Sequence, residues 1–152
     1  MPDTLFNSLQ ELMRETFEGG LPGEGTQYLD HASGIRNTLA KLTAEQASVR
    51  RGDHPSIASH ARHMNFHLRV TAEWILGDHS KRDWKGSFEP QKVSEAEWVA
   101  LLRELESSRA EFLRVMGSLP PEKFASEGAG MGAVAHLAYH LGAIRQLLPD
   151  GR

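Results

Sequence analysis

MGAVAHLAYHLGAIRQLL, residues 131–148, is apolar along nearly its whole length and places two histidines, His136 and His140, four residues apart. Its periodicity is helical. Positions i and i+4 of an α-helix lie about 40° apart around the axis and ~6 Å apart along it, so two imidazoles at this spacing face the same side. Upstream, His60, His63 and His67 repeat at 0, 3 and 7. On a wheel at ~100° per residue they fall within about 60° of one another, on the stripe that also holds Ile57, Leu68, Trp74 and Ile75. Arg62, Asn65, Arg69 and Glu73 occupy the opposite face, interrupted by Phe66. Five of the eight histidines therefore lie on two apolar helix faces.

Further out, the chain keeps reading as helix. Leu5, Leu9, Leu12, Met13 and Phe17 form one side of an amphipathic helix over residues 4–18, closed by Gly19-Gly20. Leu29, Ala32, Ile35, Leu39 and Leu42 predict a second helix from Thr26, fading after Thr43-Ala44-Glu45-Gln46. Ser56 is placed to cap the helix that carries the first histidine cluster and stops at Gly77. Residues 77–93 are an irregular connector carrying Trp84, Phe88 and Pro90, long enough to need local structure or a function. Ser94-Glu95-Ala96-Glu97 is a capping-box sequence, and the helix it opens runs from Trp98 through Met116 to Leu119-Pro120-Pro121. Glycines 128, 130 and 132 form a flexible approach to the last helix. No stretch alternates as a strand does. The expected fold class is all-α: a four-helix bundle with an additional N-terminal helix, in a single domain spanning residues 1–152.

Composition narrows the chemistry. Seventeen basic and 20 acidic side chains give a net charge of −3 without a basic stripe, which argues against a nucleic-acid partner. Cysteine is absent, so disulfides, thiolate metal ligands and a cysteine nucleophile are excluded and any metal must be held by nitrogen and oxygen. No apolar run approaches membrane-spanning length, and no signal-peptide pattern opens the chain, so the expectation is a cytoplasmic protein without a membrane partner.

Buried imidazoles need partners. A metal supplies one; carbonyls and carboxylates supply others. Two histidines from one helix and one from a neighbour would make a three-ligand site with open positions, the pattern of a catalytic rather than a structural centre. Other constellations carry less. Asp30-His31 and Asp53-His54 read as surface pairs, Ser107-Ser108 has no histidine nearby in sequence, and the 128–132 glycines lack the preceding strand of a phosphate loop.

Residues 56–64 (SIASHARHM) and 135–146 (AHLAYHLGAIRQ), with Asp83-Trp84-Lys85-Gly86-Ser87-Phe88 leading to Glu97-Trp98, resemble the DinB-like superfamily of four-helix metalloproteins, which includes bacillithiol- and mycothiol-dependent transferases. The likeness covers roughly residues 26–148. It implies a divalent metal, zinc or nickel, held by His63, His136 and His140, with His60 a rival for the second-helix position. The chain departs from many relatives at Ala143, where they carry Gln. The resemblance also implies a thiol S-transferase acting in detoxification or stress response, with a small-molecule thiol and an electrophile as substrates. A metal-dependent hydrolase, and a non-catalytic stress-associated bundle with a structural metal or none, are the alternatives. No catalytic residue beyond the metal ligands is assigned, and monomer and homodimer both stay open.

Overall fold

The computed structural model describes residues 2–149, which form seven α-helices and no strand. Four helices are long: α1 (Pro2–Glu18), α4 (Ile57–Ile75), α5 (Glu95–Gly117) and α7 (Ala129–Leu147). Helix α4 packs against both α5 and α7, and α1 closes against α7. The all-α bundle is as expected, with the N-terminal helix serving as one of its four long members. Phe17, Met64, Leu68, Phe112, Met116, Leu137 and Leu141 fill the centre. Fully burying each such side chain contributes ~1.5–3 kcal/mol, so these faces and not local propensity hold the helices together. Among the described residues no helix is long and apolar enough to cross a membrane.

The second predicted helix is much shorter than its hydrophobic pattern. Helix α2 spans only Ile35–Ala40. The carboxylate of Glu15, fully buried on α1, accepts backbone N–H groups from Gln27 (2.7 Å), Tyr28 (2.6 Å) and Leu29 (2.6 Å). These donors are committed to a neighbouring helix, and Ala32 adopts a left-handed conformation (φ 57°) that ends any local helix. Burial alone would raise the Glu15 carboxyl, yet the three donors hold it below the ordinary carboxylate value. Glu15→Ala strands them without an acceptor and is expected to destabilise the fold by about 3 kcal/mol or more in denaturant unfolding, with Glu15→Gln losing less. A loss under about 1 kcal/mol for the alanine variant would contradict this role.

Three smaller departures have local causes. Thr43 and Gln46 make a capping box, so Ala44–Ala47 forms the short α3 where the pattern fades. Pro121 begins a new helix, α6 (Pro121–Ser126), because proline's missing N–H is harmless at the first helical position. Gly130 and Gly132 lie inside α7 and not ahead of it. At Gly130 a Cβ would sit 3.1 Å from Met116 Cε and 3.2 Å from Leu9 Cδ2, so this glycine serves close packing between α7, α5 and α1.

The expected caps are in place. Ser56 accepts the Ser59 amide (3.1 Å), and Ser94 accepts the Glu97 amide (3.2 Å) while Glu97 accepts the Ser94 amide (2.7 Å). Helix α4 ends before Gly77, whose φ of 104° suits only glycine. Trp98 anchors the α5 start by donating from Nε1 to the Leu42 carbonyl (3.0 Å).

Candidate metal centre

The first turn of α4 fixes the connector over the bundle. Ser56 Oγ donates to the Gln91 carbonyl (2.6 Å), the Ser56 amide donates to Gln91 Oε1 (2.8 Å), and Ser59 Oγ donates to the Phe88 carbonyl. The connector's middle tightens into a short 3-10 turn at Gly86–Phe88, with Asp83 Oδ1 accepting the Gly86 amide (2.9 Å). This brings Trp84, Ser87 and Phe88 down onto the histidine face of α4. Phe66, which breaks the polar side of that helix in sequence, meets the edge of Trp84 at 5.1 Å. Trp74, expected on the same stripe as the histidines, instead lies exposed beyond the connector and stacks on His79 at 4.1 Å.

Under this cover His63 of α4 and His136 and His140 of α7 bring one ring nitrogen each within 4.8 Å of one another. His136 Nε2 lies 3.0 Å from His63 Nε2 and 3.1 Å from His140 Nε2. His63 and His140 are buried and His136 is half-buried. The hydrogen-bond partners decide which nitrogen is free. Ser87 Oγ donates to the Trp84 carbonyl (2.6 Å), so toward His63 it acts as acceptor, taking the Nδ1 proton at 2.6 Å. His63 Nε2 is left with a lone pair aimed at the shared space. His140 Nδ1 lies 2.9 Å from His60 Nδ1, and with His140 as donor its Nε2 also carries a lone pair inward.

At these separations the lone pairs of neighbouring imidazoles need either a shared proton or a cation between them. Metal–imidazole bonds of ~2.0–2.1 Å place neighbouring ligand nitrogens roughly 3–3.4 Å apart, a spacing that the His63–His136 and His136–His140 pairs match, with all three nitrogens within 4.8 Å of one another. The donor set agrees: three neutral imidazoles and no thiolate suit zinc, nickel or another borderline divalent ion.

The two candidate ligands on α4 are placed differently. His63 belongs to the converging group, whereas His60 stands behind His140 and orients it, the outer position that commonly fixes a ligand's tautomer. His67 stacks face to face on His136 (3.8 Å, 15° between planes), outside the three. Phe88 stacks on His63 in the same way (3.9 Å, 14°). His136 is the least supported of the trio, since its Nδ1 is buried without a hydrogen-bond partner. His31 and His54 are exposed, as expected of surface pairs.

Burial is the main cause that pulls His63, His67 and His136 down to about 4 and His140 to about 3, with neighbouring imidazoles adding repulsion; burial also lowers His60. All five are neutral at pH 7, the form that binds metal.

The connector helps to shape a pocket through Phe88, while the glycine-rich segment is helical from Ala129 and turns Gly130 into the core. A cleft of about 530 Å3 opens beside His140, lined among others by Arg51, His54, His60, Phe88 and Tyr139. Ser87, the outer role of His60 and the exposed Tyr139 at the cleft were not readable from spacing. The one available signal was the Asp83-x-x-Gly86 turn inside an aromatic connector. Ser87→Ala removes the acceptor that sets the His63 tautomer and is expected to weaken metal affinity ~10- to 100-fold in a competitive chelator titration. Unchanged affinity would show that Phe88 stacking alone holds the ring.

A model of the DinB superfamily matches residues 27–144, and the chain belongs to that family. Neither the comparison with curated proteins nor that with solved structures gave a match.

Proposed function

We propose that this DinB-superfamily chain is a divalent-metal-dependent S-transferase, with His63, His136 and His140 as the metal ligands and a small thiol and an electrophile as substrates. The observation that carries this reading is the three converging imidazoles, one of which, His140, also lines an open cleft. Three protein ligands leave coordination positions for an exogenous group, and the cleft beside His140 is where a small molecule can reach them. A bound zinc or nickel ion would lower the pKa of a thiol so that its thiolate is available near neutral pH.

The chain's own groups do the rest. Ser87 and His60 keep the Nδ1 protons of His63 and His140 away from the shared space. Phe88 and Trp84 exclude water from the face of the site under the connector. The absence of cysteine from the sequence accords with a nucleophilic sulfur supplied from outside.

The test is a titration of cobalt-substituted protein with small thiols, followed by optical spectroscopy. A sulfur-to-metal charge-transfer band is the expected result. No band with any thiol, together with a coordination shell closed by protein groups, would favour a structural metal.

The ion would also tie α4 to α7. Binding to the folded state alone adds about 2.7 kcal/mol at a hundredfold excess over Kd. A chelator is therefore expected to lower the melting temperature while leaving far-UV helicity intact, because the apolar helix faces remain paired. An unchanged melting temperature would argue against a bridging ion.

A further inference from the structure

The molecule has two sizeable clefts near the histidines, and their charge differs. The larger, about 760 Å3 between α4, α5 and the connector, is lined by Arg62, Arg69 and Arg103 but also by Asp83, Glu89 and Glu104. Its charges cancel. Among the described residues, the cleft beside His140 has no carboxylate in its lining and one permanent cation, Arg51. Arg51 lies in the turn before α4, and its guanidinium donates to the Leu148 carbonyl (3.3 Å), a neutral acceptor; among the described residues no carboxylate pairs with it. Five donors in a planar fork suit a carboxylate, which they can grip with two parallel hydrogen bonds.

The floor of the cleft adds neutral donors. His60 lines it, and His60 Nδ1 is occupied by His140, so the N–H on Nε2 is the group left for a ligand. Gln146 of α7 adds a side-chain amide to the lining, while Phe88 and Tyr139 supply flat apolar surface. One cation and neutral donors, with no acid among the described lining residues, make a setting that favours an anion over a neutral molecule of equal size.

We propose that this cleft selects a small ligand bearing a carboxylate, with Arg51 reading its charge and His60 and Gln146 as neutral donors beside it. The inference deepens the transferase reading and rests on it for one consequence: the thiol that reacts carries a carboxylate at its far end. A neutral thiol lacks the group that Arg51 would hold.

The experiment titrates zinc-loaded, isotope-labelled protein with sodium succinate and with neutral succinamide at constant ionic strength, observing side-chain and amide resonances by NMR. Succinate is expected to bind at least ~10-fold more tightly than succinamide, about 1.4 kcal/mol, and to shift the Arg51 Nε and Gln146 amide signals. Arg51→Met should abolish the preference and Arg51→Lys retain part of it, with zinc content reporting that the site is intact. Equal binding of the two probes would overturn the proposal. So would succinate affinity that survives Arg51→Met, since the carboxylate would then be held by the metal alone. Because succinate has no sulfur, this test is independent of the thiol titration. Succinate binding without any charge-transfer band would remove the transferase and keep the carboxylate cleft, and the reverse pattern would do the opposite.

Discussion

A His136→Ala/His140→Ala double variant is expected to purify without stoichiometric divalent metal. The two imidazoles come from adjacent turns of one rigid helix, and with His63 they are the three residues whose nitrogens converge. Removing both leaves His63 as the single remaining member of the converging three, and one imidazole cannot hold a divalent ion against buffer and chelators. The fold should persist, because neither side chain belongs to the apolar cluster formed by Leu137, Leu141 and Ile144 on the same helix. Circular dichroism separates loss of metal from loss of structure. His63→Ala should behave similarly, whereas His60→Ala removes only the partner behind His140 and should cost ~10- to 100-fold in affinity. Unchanged metal content in the double variant would remove the site. Loss in His60→Ala with retention in His63→Ala would exchange the roles of the two α4 histidines.

The second large effect concerns acid. The metal-free protein is expected to lose stability steeply as the pH falls from ~6.5 toward ~4, the interval between the ordinary histidine value and the folded-state values near 4 and below. In that interval the unfolded chain binds protons that the folded chain refuses. Folding therefore excludes protons, and stability rises with pH through the window and is level above it. Each of His63, His67, His136 and His140 contributes up to ~1.4 kcal/mol per pH unit inside the window. Thermal melts of chelator-treated protein at pH 7.5, 6.0, 5.0 and 4.5 would show it. A melting temperature that stays constant to pH 4.5 would mean that these imidazoles are solvated. Free imidazole would place the decline of metal affinity near ~6.5. Burial moves that decline downward, since the folded site stays unprotonated well below it.

What could be read from sequence, and what could not, follows from which contacts are local. The helix ends at Ser56, Gly77 and Ser94 were legible because a cap is an interaction between residues three or four apart. The histidine clusters were legible because a helix converts spacing into direction. The truncated helix at Ile35 was not, since its cause is Glu15, a carboxylate 12 to 14 residues away on another element. A buried acid reads in sequence as one more polar position on α1. The separation of His60 from His63 was equally hidden, because both lie on one helix face and only the placement of α7 and Ser87 distinguishes them. The connector was visible as a long aromatic segment. That Phe88 would stack on His63 depended on Ser56 and Ser59 pinning its far end.

The central claim is that His63, His136 and His140 hold one divalent ion with a position left open to the cleft. X-ray absorption on protein purified without a histidine tag, combined with elemental analysis, addresses it directly. The expected result is about one zinc or nickel per chain with a shell of three imidazoles and one or more light, exchangeable ligands that a thiol replaces by sulfur. Metal far below one per chain, or a shell completed by a fourth imidazole and unaltered by thiols, would contradict it.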